Sequence, residues 1–142
     1  MKLSHKAQYA CLAMLELAAK YHDHLPLSVK VIAEAYQLQP RFLVQILLQL
    51  KAAGLVASIR GAAGGYQLAR APGQISVADV INAIDPEQPV RKLVGSPGSP
   101  VVQAIHSVYR EIHAEEQRHL RHLSLAELVR RAREGNAVSY QI

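Results

Sequence analysis

Cysteine occurs once in this chain of 142 residues, at position 11. A single thiol excludes an intramolecular disulfide and an all-cysteine metal site within one chain, and it fits a reducing cytoplasm. Apolar runs are short as well. The longest near the N-terminus, Tyr9 to Leu15, falls far below the ~20 residues that cross a bilayer, and no small-residue cleavage site follows it. A cytoplasmic protein with no membrane partner is the expectation. The marks of an enzyme are missing too: no paired carboxylates, no nucleophile with a base at workable spacing, and no Gly-Lys-Ser/Thr loop for phosphates. Half of the residues are hydrophobic, which is ample for one core-bearing domain or a domain with an appendage.

Charge is unevenly spread. Residues 1–70 hold eight basic and three acidic side chains, whereas residues 71–142 hold eight of each. The positive half is a candidate nucleic-acid face, and the neutral half serves another purpose.

Ser4 suits an N-cap. After it Ala7, Ala10, Cys11, Met14, Ala18 and Tyr21 recur at helical spacing, which predicts a first helix of about four to five turns with one buried stripe. Cys11 lies in that stripe as a small core residue; a redox-active thiol needs an electropositive, exposed setting that its neighbours do not supply. The polar segment Tyr21-His22-Asp23-His24 ends this helix in a loop closed by Pro26, and its two histidines are weak grounds for a metal. Ser28 caps a second helix whose expected inward face is Val31, Ile32 and Ala35. The chain turns at Tyr36–Gln39, and Pro40 opens a third helix, where its missing N–H has no partner to lose.

In that third helix Leu43, Ile46, Leu47 and Leu50 make one apolar face, leaving Arg41, Val44, Gln45, Leu48 and Gln49 outward. Two helices joined by a short turn form a helix-turn-helix, with the second as reader. Arg41 can fork onto guanine O6/N7 or clamp a phosphate, Gln45 can pair with adenine N6/N7, and Val44 can sit against a thymine methyl. Polar residues on any solvated helix look similar, but Val44 and Leu48 are costly to leave in water. Gly54 stops the helix, and Leu55–Ile59 and Tyr66–Ala69 read as two strands around Arg60-Gly61-Ala62-Ala63-Gly64-Gly65. This hairpin is a wing, with Arg60 beside its tip for a phosphate or the minor groove. A nucleotide-cradling loop is the rival reading of the glycines, yet no helix begins after them. The candidate DNA contacts are Lys6, Tyr9, Ser28, Arg41, Val44, Gln45, Gln49, Lys51, Arg60, Gly61, Gly64, Gly65 and Tyr66.

Together, Met1-Lys2-Leu3-Ser4 with Tyr9-Ala10, Phe42 to Leu47, Ala53-Gly54-Leu55-Val56 and the wing Arg60 to Arg70 resemble the Rrf family of bacterial transcription regulators, the family of IscR, NsrR, RirA and CymR. The similarity continues through Ile75–Asp85 and returns at Ser124-Leu125-Ala126-Glu127-Leu128. It implies a mainly α fold with a small β-hairpin wing: a winged helix-turn-helix head, here 1–85, and a long C-terminal dimerisation helix. In cluster-binding members the loop before that helix carries three cysteines. Counting back from Ser124, the last of them falls at Gln103 and a cluster-associated histidine at His106. Without the cysteines, a member with no iron–sulfur cluster and no other cofactor is expected.

Residues 86–100 contain four of the seven prolines and read as a flexible loop at the sensor position. From Val101 the pattern is helical, with Val101, Ile105, Val108 and Ile112 at alternating four- and three-residue steps. Val102, Tyr109, Leu120 and Leu123 widen the stripe. Such a helix on a small head packs most simply against its own copy, through Val101, Ile105, Val108, Tyr109, Ile112 and Leu120; folding back on its own domain is the alternative. The region 101–134 comprises this helix and a last one capped by Ser124, which Gly135 is expected to stop, leaving 135–142 as a tail. His106 and His113 share a face with Tyr109, and His119 and His122 follow. They read as solvated or interface side chains, as a divalent-metal site centred on His106 and His113, or as a pH-sensitive interface. The expected function is a homodimeric repressor on an inverted-repeat operator, governed by a small-molecule or protein effector. A winged helix used for protein contact is the second hypothesis.

Overall fold

The chain is seen in a computed structural model that describes residues 2–86 and 94–141, from 136 onward as a backbone path. The loop expected at 86–100 falls partly outside the described residues. Helix α1 (His5–Ala19) starts as its sequence asks: Ser4 keeps an extended backbone, and its Oγ accepts from the Ala7 N–H at 3.0 Å. The same hydroxyl donates to Asp85 Oδ2, joining the two ends of the head. Ala7, Ala10, Met14, Leu17 and Ala18 are buried along one side, the small ones letting neighbouring helices approach closely. Cys11 is half-buried at the edge of this stripe, and burial pushes its thiol pKa up, which withholds the reactive thiolate. Tyr21, expected within the helix, lies in a 3-10 turn, Tyr21–Asp23, that follows it.

Helix α2 (Val29–Tyr36) is capped by Ser28, whose Oγ accepts from the Val31 N–H at 3.2 Å. The expected inward face is corrected here: Ile32 and Ala33 are buried, whereas Val31 and Ala35 face outward. One residue along a helix is a rotation of about 100°, so the core lies one position round from the most hydrophobic reading. Gln37, in the left-handed region at φ 55, ends α2, and Pro40 begins α3 (Pro40–Ala52), so the turn is one residue shorter than expected. Leu43, Ile46, Leu47 and Leu50 of α3 have no exposure at all; each full leucine or isoleucine burial contributes roughly 1.5–3 kcal/mol. The helix ends in a Schellman motif: the Leu55 N–H reaches Leu50 O and the Gly54 N–H reaches Lys51 O, both at 3.0 Å, with Gly54 at φ +77.

Strands β1 (Val56–Ile59) and β2 (Gly65–Leu68) pair antiparallel with Val56 opposite Leu68 and Ile59 opposite Gly65. Helix α4 (Val77–Ile84) opens with a capping box between Ser76 and Asp79 and packs on α1 and α3. Helix α5 (Pro100–His122) takes Ser99 as its N-cap, so Pro100 is its first residue rather than the end of a loop. Helix α6 (Leu125–Gln141) lies on α1, with Leu125 buried. The stop expected at Gly135 does not occur. An interior glycine keeps the helical hydrogen bond and costs only about 1 kcal/mol relative to alanine. The junction between α5 and α6 is stitched to the head by the Val77 N–H on Leu123 O at 2.8 Å and the Leu125 N–H on Ile75 O at 2.9 Å.

Candidate nucleic-acid interface

The outward side of α3 exposes Arg41, Val44, Gln45 and Leu48. Leu48 is 52% exposed, much for a leucine in the middle of a helix whose other leucines are sealed. Gln49 is set back from this face: it is half-buried, and its Oε1 is buried with no hydrogen-bond partner among the described residues. Lys51, one turn on, donates from Nζ to Ser58 Oγ in β1 at 2.7 Å. An ammonium carries three N–H bonds, so two remain. This bond fastens β1 to the last turn of α3.

The wing tip brings Arg60 and Gly61 to the surface, with Gly61 at φ +111 and open space where a side chain would project. The other two glycines answer an internal need. A Cβ on Gly64 would lie 2.1 Å from Ile59 O, and one on Gly65 would lie 2.3 Å from Leu27 O, separations no side chain can occupy. Leu27 and Tyr66 exchange backbone hydrogen bonds at 2.9 and 2.8 Å. The wing is thereby bonded to the residue before Ser28, and Tyr66 is half-buried at that seam.

Tyr9 works from beneath. Its hydroxyl accepts from the Gln39 N–H at 3.3 Å, and its ring meets Phe42 edge-on at 4.9 Å, which holds the start of α3 against α1. Lys6, a turn earlier, is half-buried on α1. At the far end of α2 the Tyr36 hydroxyl donates to Glu16 Oε2 at 2.5 Å. Burial, with that hydrogen bond, pushes its pKa up to about 12. The structure thus brings α3, Lys51 and the wing tip together, sets Ser28 and Tyr66 at the seam between α2 and the wing, and leaves Lys6 and Tyr9 on the supporting helix. Leu27, Gln39 and Ser58 hold these parts in register yet escape sequence reasoning. Their contacts cross between elements, and only the Pro40 start signal hints that Gln39 precedes a helix.

Along α5, Val101, Ile105, Val108, Tyr109 and Ile112 are exposed, while Leu120 is half-buried with Val102 on an adjoining face. His106 and His113 are half-buried, on the same adjoining face as Val102 and Leu120. Among the described residues no set of three or more His, Cys, Asp or Glu side chains is arranged to hold a metal. Cys11 lies in α1, whereas Gln103 is on α5 with its Nε2 donating to Pro97 O at 3.1 Å. An amide and one imidazole, without thiolates, do not fit an iron–sulfur cluster. No described helix is long and apolar enough to cross a membrane.

The profile of the Rrf2 family, described as "Iron-dependent Transcriptional regulator", matches residues 3–131. The transcriptional regulator IscR of Erwinia tasmaniensis is 34% identical over 131 residues, covering 91% of this chain and 79% of that protein. The transcriptional regulator CymR of Bacillus subtilis is 44% identical over 94 residues, 66% of this chain and 67% of that one. Among solved structures, CymR, the global cysteine regulator of B. subtilis, superposes with a TM-score of 0.79 at 32% identity, covering 91% of this chain and 96% of that one. IscR of T. potens gives 0.78 at 34% identity, covering 95% and 90%.

Proposed function

Because the chain belongs to the Rrf2 family of transcriptional regulators, we propose that it is a cytoplasmic, homodimeric repressor that binds an inverted-repeat operator without an iron–sulfur cluster. The observation that carries this reading is the exposed face of α3 fastened, through Lys51 and Ser58, to a wing that ends in Arg60. One unit thus offers groove-reading and backbone-clamping groups in fixed relation. In this reading α3 enters the major groove, where Arg41 and Gln45 meet base edges and Val44 and Leu48 lie against thymine methyls. Lys51 and Arg60 take phosphates, Ser28 and Tyr66 border the backbone, and Lys6 and Tyr9 support from α1.

Dimerisation has independent support in α5. A 23-residue helix with no buried side chain among the described residues, and with Val101, Ile105, Val108 and Ile112 in line, leaves an apolar seam that a second copy covers. Two heads related by a two-fold axis place their reader helices in successive major grooves, roughly 34 Å apart. The cluster-free reading follows from the donor set: Cys11 is the chain's one thiol and lies on another element from Gln103 and His106.

Selection of bound sequences from random duplex DNA tests the proposal. The expected product is an inverted repeat, bound with strong salt dependence. Selection without enrichment, together with salt-independent duplex binding, would replace this reading by a winged helix used for protein contact. A brown, iron-bearing purified sample would overturn the cluster-free part.

A further inference from the structure

A cavity of about 270 Å³ opens between the end of α1, the 3-10 turn after it and the back of the wing. Leu17, Leu25, Leu27 and Leu68 give its wall apolar surface. Lys20, Tyr21, His24 and Gln67 add an ammonium, a phenol, an imidazole and a carboxamide. No carboxylate lines it, although Asp23 stands between two of these residues in the chain. Its volume equals the share of roughly nine liquid waters, at about 30 Å³ each, which suits a ligand of amino-acid size.

Two features show that this wall is held in place. His24 stands in the left-handed region at φ 54, uncommon for any residue but glycine. Its N–H bonds Tyr21 O at 3.2 Å, and its ring centre lies 6.3 Å from that of Tyr21. Leu27 is locked to β2 by its paired backbone bonds with Tyr66. A concave site with apolar side chains in its wall, several N–H and O–H donors, one cation and no anion selects a small anion with a short apolar body.

We propose that this cavity binds a small carboxylate bearing a short aliphatic tail, and that its occupancy sets how the wing is held and so tunes duplex affinity. The second clause rests on the DNA-binding reading above. The carboxylate meets Lys20 and His24 at the end of α1, while the tail lies on Leu17, Leu27 and Leu68. The occupant therefore bridges the body of the head to β2, whose Gln67 and Leu68 line the cavity and whose first residue borders the wing tip. A ligand that fits one wing position better draws the population towards it.

The test titrates the full chain with sodium 4-methylpentanoate, following the Leu27 and Leu68 methyl resonances and the binding heat. 4-Methylpentanamide serves as the neutral isostere, and inorganic phosphate as the anion without a tail. The carboxylate should saturate, with the amide and phosphate each at least tenfold weaker. Lys20→Gln and His24→Gln should each weaken it at least fivefold without moving the unfolding midpoint of the free protein. A carboxylate that gives no saturable response, binds no better than its amide, or binds both variants as well as the parent overturns the site. Phosphate binding as tightly as 4-methylpentanoate overturns the choice of an aliphatic carboxylate. On a selected duplex, saturating 4-methylpentanoate should change the dissociation constant at least threefold for the parent and not for Lys20→Gln. An unchanged constant with the cavity filled overturns the regulatory clause alone, and failure to bind any duplex overturns the DNA-binding reading while the binding arm still decides the site.

Discussion

Helices α3 and α5 carry the same apolar rhythm of three- and four-residue steps, and they dispose of it in opposite ways. In α3, Leu43, Ile46, Leu47 and Leu50 are sealed against α1, α2 and α4. In α5, Ile105 is 46% and Ile112 56% exposed, and among the described residues α4 is the one element of the head that packs extensively on the helix. Periodicity therefore says that a face must be covered and leaves open whether the same chain or another covers it. The outer faces differ as well. The outer face of α3 mixes Arg41 and Gln45 with Val44 and Leu48, a surface suited to base edges, whereas the stripe of α5 is aliphatic for three turns before Glu115 and His119 interrupt it.

The contrast is broken most forcefully from inside. Leu47→Ala, in the sealed face of α3, should cost about 2–5 kcal/mol of folding stability in a denaturant titration. Val108→Ala, at an exposed position, should stay within about 0.5 kcal/mol when measured at concentrations where the chain is monomeric. Equal losses would mean that α5 is as much a core helix as α3. Next in size is the double change Ile105→Asp with Ile112→Asp. It should give monomers in sedimentation and lower duplex affinity by about 100-fold, since one head must then bind alone, while leaving the unfolding midpoint of the head in place. A dimer that survives both aspartates would require another interface.

On α3 itself, Gln45→Ala should relax preference at one base by about 1–3 kcal/mol in a binding selection, and at the wing tip Arg60→Ala should weaken all sequences alike and lower the salt slope by about 1. An unchanged preferred site in the first variant would remove Gln45 from the reading surface. The smallest effect belongs to the C-terminal helices. Hydrogen bonds from Arg130 and then Arg131 hold the Glu127 carboxyl down at about 2 against an ordinary 4.5. A depressed carboxyl contributes stability above its unfolded pKa, and that contribution fades as pH falls from 4.5 towards 2. The pair is exposed, so the effect is slight: Glu127→Gln should flatten the acid limb of α6 helicity between those values and leave neutral stability nearly unchanged.

Much of the head was legible because its signals are local. Ser4 and Ser28 cap the helices they precede, Pro40 opens α3, Gly54 closes it, and the strands begin within a residue or two of where branching and alternation put them. The errors have two origins. The inward face of α2 was displaced because Val31 outranks Ala33 in hydrophobicity, while only the approach of α1 and α3 makes a small residue the better neighbour. Gly135 looked like a stop because glycine often is one, yet its cost is too small to end a helix. Within the candidate interface, residue types pointed to Arg41, Gln45 and Arg60, but nothing local marked Ser58 as the partner of Lys51.

The sequence by itself determined where α1, α2, α3 and α6 start, which side of α3 is sealed, that the net positive charge lies in residues 1–70, and that thiolates for a cluster are lacking. All of these depend on residue identity and on spacing within a few positions. Tertiary structure decided that Gly65 serves the seam with Leu27, that Gln49 turns inward, that Lys51 holds the wing, and that Lys20 and His24 share a cavity with Leu68. Each needs two segments distant in the chain to meet, and packing of the whole core sets that meeting.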